Sequence, residues 1–250
     1  MDYLKFYELE IEPFRNDPEP KFFFEGRAQR NARMRILRGV RQRKGLAVLV
    51  GGPGLGKTTL ARHLLLSLDD ANTCVRLIQV PHRACDTGWL LPRIAVAFGV
   101  TQPGATALAV LGQVFERLSM LVSAGRSPVL LVDEAQLLEN AQVMEEFRAL
   151  LNLEDQERKL LSLVLFGLPE LDRVLRLDLP LAQRIDVRAQ MTGLEADEVG
   201  PYLEHRLKLA GRRGDLFTED AVQAFYGWTC GIPRLVNTLA DNALFEGALA

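Results

Sequence analysis

The sequence has little cysteine or histidine and no long apolar run. Its three cysteines, Cys74, Cys85 and Cys230, have no paired spacing, which argues against a disulfide framework or a zinc site. The three histidines are scattered, so no metal-binding constellation is visible. No apolar run approaches the roughly 18 residues that a membrane-spanning helix needs, and the first residues lack the pattern of a signal peptide. We therefore expect a protein of the reducing cytoplasm without a membrane span.

The remaining composition is that of an ordinary globular protein. Hydrophobic residues make up 48% and charged residues 25% of the 250 positions, enough for one large domain or two smaller ones. The net charge of −2 is unevenly distributed, because the segment 27–44 contains eight basic residues and no acidic one. A basic segment in an otherwise acidic chain indicates a localised binding surface.

The segment 51–59 carries the strongest motif. It reads GGPGLGKTT and matches the phosphate-binding pattern G-x-x-x-x-G-K-[ST] at each fixed position. An apolar run of strand length, 46–50, precedes it, and an apolar pattern of helical spacing, 60–66, follows it. A strand, a glycine-rich turn and a helix form the arrangement in which backbone amides surround a phosphate. The sequence therefore predicts a nucleotide site.

The residues of this loop have expected roles in that site. Lys57 would neutralise the β- and γ-phosphates, and Thr58 would offer its hydroxyl to Mg²⁺. Backbone groups of the turn and of the following helix start would bind phosphate oxygens. The predicted nucleotide-binding residues of the loop are Gly52, Pro53, Gly54, Leu55, Gly56, Lys57, Thr58 and Thr59.

Two carboxylates end a second apolar strand, about 75 residues after the loop. The segment 129–132 reads VLLV and is followed directly by Asp133 and Glu134. In phosphoryl-transfer sites an aspartate at such a strand end holds the Mg²⁺ shell, here through water. We expect Glu134 to polarise the attacking water as general base. The alternative, two solvated acids at a strand end, is disfavoured by the loop upstream.

The order of apolar segments predicts the fold. The expected strands are 46–50, 74–80, 129–134, 160–166 and 185–191, and helical patterns lie between them at 27–44, 60–66, 89–98, 106–122 and 140–152. After residue 192 the pattern is helical throughout, at 195–210, 218–228 and from 233 onwards. Gly200-Pro201 predicts a kink in the first of these helices or a later start of it.

These elements predict an α/β protein with a parallel five-stranded sheet flanked by helices and a small C-terminal all-helical lid. The predicted domains are an N-terminal arm at 1–26, packed on the core, a nucleotide-binding domain at 27–192 and a helical lid at 193–250. The arm is rich in aromatic residues and proline. It either packs on the core or provides Pro13 and Phe14 as walls of an adenine pocket.

The helix predicted at 27–44 has an apolar face and a basic face. The basic face is either solvated or in contact with phosphates of nucleic acid or of anionic lipid. The apolar face comprises Ala32, Ile36, Leu37 and Val40, and the basic face comprises Arg27, Arg30, Arg38 and Arg41.

The order of these blocks resembles the AAA+ ATPases and, more narrowly, the ATPase part of the general secretion pathway protein A family. The resemblance covers nearly the full length, and its individual blocks are short but occur in the expected order. They are YLKFY at 3–7, PF at 13–14, the phosphate loop, DEAQLL at 133–138, NLE at 152–154, PEL at 169–171, QRI at 183–185, EHRL at 204–207 and GIPRLVN at 231–237.

The resemblance implies roles for two arginines. Arg184 matches the arginine finger that reaches the γ-phosphate of a neighbouring subunit, and Arg234 matches the lid arginine that senses the γ-phosphate in its own subunit. A guanidinium at that position neutralises charge on the transferring phosphoryl group. Without the resemblance, Arg184 would be a surface ion-pairing residue and Arg234 a helix-start arginine. The implied activity is ATP hydrolysis with Mg²⁺ at subunit interfaces of a homo-oligomer.

The resemblance also implies a partner. We expect the ATPase to drive assembly of a secretion or pilus-type envelope machine, with peripheral placement at the inner membrane through protein partners. The family often continues into a membrane segment and a peptidoglycan-binding domain, neither of which is present in these 250 residues, so envelope anchoring is not carried over.

One position departs from the family pattern. Such ATPases have a polar, water-orienting side chain after the fourth strand, where this sequence has Leu168, which offers no hydrogen bond. Hydrolysis would then be slow, or a neighbouring group would substitute. Two alternative functions follow: a DNA-associated AAA+ regulator of the transposition-target-selector type, suggested by the basic helix, and an ATP-binding scaffold with little hydrolysis, suggested by Leu168.

Overall fold

The computed structural model describes residues 3–155, 158–212 and 214–250. Packing divides the chain into two compact units. The first, here called the loop unit, comprises the residues up to Arg30, Gly52–Leu60 and Met191–Ala250. The second, here called the sheet unit, comprises Asn31–Gly51 and Ala61–Gln190. The division into consecutive domains at 1–26, 27–192 and 193–250 stays a prediction, and residues 1 and 2 of that arm lie outside the described part.

The predicted five-stranded sheet is confirmed. The strands are β1 Leu46–Gly51, β2 Thr73–Gln79, β3 Ser127–Asp133, β4 Glu154–Asp155, β5 Arg158–Lys159, β6 Ser162–Gly167 and β7 Ile185–Met191. Five of them form one sheet in the order β2-β3-β6-β1-β7, while β4 and β5 form a separate antiparallel pair that the sequence did not predict.

The register of the sheet brings three strand ends to one edge. β1 pairs with β6, β6 with β3 and β3 with β2, all parallel. Val50 pairs with Gly167 and Val132 with Leu165, so β1, β3 and β6 end at the same edge. In open parallel sheets, ligands bind outside this edge. The central strands are apolar throughout because both faces are covered.

The described helices are α1 Tyr3–Phe6, α2 Arg27–Arg41, α3 Lys57–Leu68, α4 Thr87–Ala97, α5 Ala107–Ser123, α6 Ala141–Leu151, α7 Leu171–Leu175, α8 Leu179–Gln183, α9 Ala196–Leu209, α10 Glu219–Thr229 and α11 Pro233–Leu249. Eight of them agree with the predicted segments to within about three residues, whereas the short helices α1, α7 and α8 were not predicted. In the described part of the chain, no helix has both the length and the hydropathy that are needed to cross a membrane.

Side-chain caps fix several helix starts in the sheet unit. Asp86, Thr106, Asn140 and Asp178 each accept a hydrogen bond from a backbone N–H in the first turn of α4, α5, α6 and α8 respectively. Such caps satisfy donors that the helix leaves unpaired. The helices enclose a core that includes Ile94, Val114, Leu118 and Phe147.

The loop unit contains the predicted helical lid, formed by α9, α10 and α11. Of the two alternatives at Gly200-Pro201, a kink or a later start, the later start of α9 is wrong, since α9 begins at Ala196 with Pro201 inside it. Glu195 and Glu198 form a reciprocal capping box that fixes the helix start before the proline is reached. Burial of Val199 and Tyr202 on either side of Pro201 then holds the helix in place.

The N-terminal arm packs on these helices through Phe14 and Arg206. Phe14 is 2% exposed and belongs to a core with Leu203, Phe225 and Val236. The buried guanidinium of Arg206 donates to the carbonyl oxygens of Pro13 and Arg15, at 2.5 and 2.8 Å. These contacts favour the packing alternative for the arm, because a ring so fully covered has little surface to offer an adenine base.

Candidate nucleotide-binding and hydrolysis site

The glycine-rich loop connects β1 to α3 within seven residues. Gly54 and Gly56 have φ angles of +75° and +91°, in the left-handed region that glycine adopts without steric cost. The backbone therefore turns sharply before α3 begins at Lys57. Thr58 and Thr59 lie in the first turn of α3, where amides lack intrahelical acceptors and the helix dipole is positive. This is the geometry that binds phosphate.

Lys57 is held against the loop that it follows. Its side chain is 6% exposed, and its ammonium nitrogen donates to the carbonyl oxygen of Gly52 at 2.8 Å. A buried ammonium requires polar partners, and a loop rich in backbone groups supplies them. The arrangement concentrates a positive charge within the predicted phosphate-binding segment.

The start of α11 packs directly on this loop. The backbone N–H of Arg234 donates to the carbonyl oxygen of Gly54 at 3.2 Å. A Cβ built on Gly54 would lie 2.8 Å from Cβ of Arg234 and 3.2 Å from Cγ2 of Ile232, so a side chain at position 54 would not fit. The structure thus brings the lid residue Arg234 and the loop together, and the Arg234 side chain is exposed there.

In the sheet unit, Asp133 and Glu134 stand at the carboxyl end of β3. Asp133 is 1% exposed, and its Oδ1 accepts the backbone N–H of Glu134 at 3.0 Å. Glu134 has a left-handed backbone, with φ 56° and ψ 35°, which is strained for a residue with a side chain. Strain of this kind recurs at catalytic positions. It turns the chain into the short 3₁₀ helix Ala135–Leu137, so the two adjacent carboxylates occupy different surroundings.

The residues present have the chemistry that ATP and Mg²⁺ require. The loop supplies backbone donors and one ammonium group for the phosphates, as judged from the two left-handed glycines and from Lys57. Thr58 and Asp133 carry a hydroxyl and a carboxylate, and oxygen atoms are the ligands that Mg²⁺ prefers.

Sequence reasoning missed Gln136, which touches the predicted base. Its Nε2 donates to Oε2 of Glu134 at 2.6 Å, and its Oε1 accepts the backbone N–H of Leu168 at 3.1 Å. Leu168 is the position at which the resemblance predicts a polar side chain. The available signal was a single amide within the apolar run from Ala135 to Leu138.

Arg184 lies in a different part of the sheet unit. It is the C-terminal cap of α8, and its guanidinium donates to the side-chain oxygen of Asn152. Together with Lys159 it lines a surface cavity of about 190 Å³. Gly45 and Leu46, at the amino end of β1, line the same cavity. At roughly 3.3 Å per residue, the six-residue β1 separates that end from its loop-bearing end by about 17 Å.

The four arginines of the basic helix face differ in their surroundings. Arg27 pairs with Glu195 and Asp197, each at 2.5 Å, and its hydrogen bond lowers the pKa of the Asp197 carboxyl. Arg30 lies 3.8 Å from Glu25. Arg38 and Arg41 are exposed. The structure therefore gives two of the four predicted phosphate-contacting residues an acidic partner within the chain.

Comparison with known proteins identifies the family. The sequence profile of the AAA domain family matches residues 40–175, which is more than half of the chain. The chain belongs to the AAA domain family. It is also 35% identical, over 245 residues and 97% of its length, to general secretion pathway protein A of Aeromonas hydrophila. This confirms the predicted resemblance to that family of AAA+ ATPases. The chain spans 44% of the length of this relative.

Solved structures share the fold at low sequence identity. Cdc6p of Pyrobaculum aerophilum gives a TM-score of 0.71 at 18% identity, covering 91% of this chain and 64% of its own. The Orc2 protein of Aeropyrum pernix, in its ADPNP-ADP complexes, gives a TM-score of 0.66 at 16% identity, and the match covers 87% of this chain and 63% of the Orc2 chain. The Walker-type ATPase of Pyrococcus abyssi gives a TM-score of 0.63 at 16% identity, and the match covers 91% of this chain and 72% of the ATPase chain. These matches confirm the predicted P-loop α/β fold class with a helical lid.

Proposed function

We propose that the chain binds ATP with Mg²⁺ and hydrolyses it. The observation that carries the proposal is the loop after β1, in which two left-handed glycines and the buried ammonium of Lys57 surround one short segment. Backbone amides and a positive charge in this arrangement fit the β- and γ-phosphates of a nucleotide. Thr58 and Asp133 would hold Mg²⁺, the latter through water, and the ion would supply charge neutralisation at the phosphates.

Glu134 is the proposed general base. Its carboxylate accepts the proton of the attacking water as the water oxygen bonds to the γ-phosphorus and ADP leaves. The strained backbone of Glu134 and the partly buried hydrogen bond from Gln136 support this assignment, because a solvated surface acid needs neither.

Arg234 and Arg184 are proposed to act on different nucleotides. Arg234 packs on the loop of its own subunit, in keeping with a cis role at the γ-phosphate. Arg184 lies by the amino end of β1, and the loop follows the opposite end of that strand. A role in trans, at the γ-phosphate of a neighbouring subunit, fits this position and requires a homo-oligomer in the ATP state.

The biological role is inferred from the relative. We propose that hydrolysis drives assembly of a secretion or pilus-type envelope machine, since general secretion pathway protein A of Aeromonas hydrophila matches nearly this whole chain. In this role the chain acts in the cytoplasm and reaches the inner membrane through protein partners.

Phosphate release measured across a range of protein concentrations tests the trans mechanism. The rate per subunit should climb with concentration, because an arginine supplied by a neighbour acts only in the assembled state. Particle sizing with ADP and with a non-hydrolysable ATP analogue should show larger particles with the analogue. A rate per subunit that is constant and low at all concentrations would favour the ATP-binding scaffold instead.

Substitution of the two arginines separates their roles. Arg184→Ala should lower the rate by about 10³-fold and should be rescued by adding a Lys57→Ala protein, which lacks a working loop but supplies the arginine. Arg234→Ala should not be rescued in this way. Arg43→Ala is the matched control, because Arg43 donates to Ser127 in the same unit and lines no part of the cavity. Equal rescue of both variants would contradict the assignment.

The DNA-associated alternative rests on the exposed Arg38 and Arg41. If these residues contact phosphates, affinity for duplex DNA must fall steeply as the salt concentration rises. The double substitution Arg38→Ala and Arg41→Ala must then reduce the slope of the logarithm of the binding constant against the logarithm of the salt concentration. The ion pairs of Arg27 favour a solvated face, so we expect weak binding that the double substitution leaves unchanged.

A further inference from the structure

The carboxylate of Glu134 is connected to the end of β6 through one side chain. Gln136 donates from Nε2 to Oε2 of Glu134 at 2.6 Å and accepts the backbone N–H of Leu168 at 3.1 Å through Oε1. Leu168 follows directly after β6, at the edge where β1 and β3 also end. The position that lacks a polar side chain is therefore still connected to the base, through its backbone N–H and the amide of Gln136.

The two partners fix the orientation of the Gln136 amide. An ionised carboxylate can only accept a hydrogen bond, and a backbone N–H can only donate one. The amide group satisfies both when its nitrogen faces Glu134 and its oxygen faces Leu168. The reverse orientation would oppose two acceptors on one side and two donors on the other, so the network has a single stable arrangement.

Packing prevents Gln136 from leaving this position. Its side chain is 6% exposed, and its neighbours Ala135 and Leu138 lie in the core. A Cβ at Gly167 would lie 2.9 Å from Oε1 of Gln136, so the absence of a side chain there leaves room for the amide. A buried amide without partners costs free energy, so Gln136 keeps both hydrogen bonds. It thereby holds the Glu134 carboxylate at a fixed distance from the backbone N–H of Leu168.

We propose that Gln136 is a positioning residue for Glu134, and that it takes the place of the polar side chain missing at Leu168. It holds Oε2 of the carboxylate, which leaves the other oxygen to accept the proton of the attacking water. A shift of the β6 end is transmitted through the Leu168 N–H and the amide to the base. This inference rests on the proposed role of Glu134 in ATP hydrolysis.

Two substitutions at Gln136 separate its two contacts. Gln136→Met keeps the length and apolar stem but removes both hydrogen bonds. Gln136→Glu keeps an acceptor for the Leu168 N–H but replaces the amide donor by a second carboxyl group beside Glu134. Two carboxyl groups this close share a proton, so Glu134 is no longer a free base at neutral pH. We expect kcat for phosphate release to fall about 10- to 100-fold in both variants, since a misplaced catalytic group costs rates of this order. KM and the dissociation constant for a fluorescent ADP analogue should change less than twofold.

A double substitution tests whether Gln136 acts through Glu134. In the Glu134→Gln background, adding Gln136→Met should lower the single-turnover rate by less than twofold, because residues that act as a unit are not additive. Two full, multiplying losses would show that Gln136 acts independently and would overturn the inference. Gln142→Met, at an exposed position of α6, is the matched control and should keep the wild-type rate.

The outcomes distinguish the inference from the function on which it rests. If Glu134→Gln stops turnover while Gln136→Glu keeps the wild-type kcat, Gln136 does not position the base. The assignment of ATPase activity would be unaffected by that result. Absence of turnover in the wild-type chain, or normal turnover of Glu134→Gln, removes both. If Gln136→Met lowers the melting temperature and does not fold, the near-isosteric Gln136→Glu decides the outcome on its own.

Discussion

The loop unit and the sheet unit hold their functional groups by different means. In the loop unit, backbone conformation positions the groups: Gly54 and Gly56 turn the chain, and Lys57 bonds the carbonyl oxygen of Gly52 five residues earlier. In the sheet unit, a side chain positions the groups: Gln136 donates a hydrogen bond to Glu134 and accepts one from the backbone of Leu168, more than 30 residues away. A contiguous motif specifies the first arrangement, whereas the second requires the folded sheet.

This difference predicts different consequences of substitution. Loss of a group in the loop should weaken nucleotide binding, because that segment is the proposed contact of the ground-state phosphates. Loss of a group at the end of β3 should leave binding intact and lower turnover, because a general base acts in the transition state. The predictions below test this separation, beginning with the largest effect.

Replacing the base should have the largest effect on rate. Glu134→Gln should lower kcat by about 10²- to 10⁴-fold, because the amide cannot accept the proton of the attacking water. The dissociation constant for ATP, measured by a fluorescent analogue, should change less than threefold. Glu139→Gln, which alters an exposed glutamate that pairs with Arg173, is the control. Normal turnover of Glu134→Gln would mean that another group is the base.

Removing the loop ammonium should have the largest effect on binding. Lys57→Ala should raise the dissociation constant for ATP by about 100-fold or more, since hydrogen bonds to charged groups contribute about 1.5–3 kcal/mol each and Lys57 has several donors. Titration calorimetry with ATP measures this change. Lys208→Ala, in the last turn of α9, removes a lysine elsewhere in the loop unit and should bind as the wild type does. Wild-type affinity of Lys57→Ala would contradict the role of the loop.

Two glycines of the loop provide a matched pair. Gly54 has a positive φ, and a Cβ there would lie 2.8 Å from Cβ of Arg234, whereas a Cβ on Gly52 would meet nothing closer than Leu55 at 3.7 Å. Gly54→Ala should therefore cost about 1–2 kcal/mol from backbone strain alone. If the substituted loop leaves this conformation to relieve the strain, it must return to it to bind ATP, and the same free energy then corresponds to roughly a tenfold loss of ATP affinity. Gly52→Ala should lose less than threefold. Similar losses in both variants would show that backbone conformation does not position this segment.

The contrast between the units also explains what the sequence could predict. The conformation of the predicted phosphate loop was predictable, because it depends on glycines within one short segment, and Gly54 and Gly56 have the left-handed φ angles that such a turn requires. The position of Asp133 and Glu134 followed from an apolar strand that ends in two acids. The contact of Gln136 with Leu168 was not predictable, because it depends on the register by which β6 pairs with β3.

Three further features escaped prediction for physical reasons. The paired strands β4 and β5 are two residues long each, too short for any periodicity to be visible. The continuity of α9 through Pro201 depends on the capping box at its start together with the burial of Val199 and Tyr202, and the sequence pattern does not show this packing. The place of Arg184 beside Gly45 depends on how the sheet orders β1 relative to α8, which sequence spacing does not determine.

The smallest expected effect concerns pH and the loop unit. Burial, together with the positive charges of Arg206 and Lys208, lowers the pKa of His205, whose ring packs 5.6 Å from that of Phe24. The unfolded chain, with a histidine pKa of about 6.5, then binds more protons than the folded chain as the pH falls, so acid lowers the free energy of unfolding. Between pH 7.5 and 5.5 the wild type should lose about 1–2 °C more in melting temperature than His205→Gln.

His82→Gln, at an exposed position of the sheet unit, is the control. Identical slopes for wild type and His205→Gln would show that protonation of this ring is not coupled to folding, and a larger effect from His82→Gln would assign the pH response to the sheet unit instead.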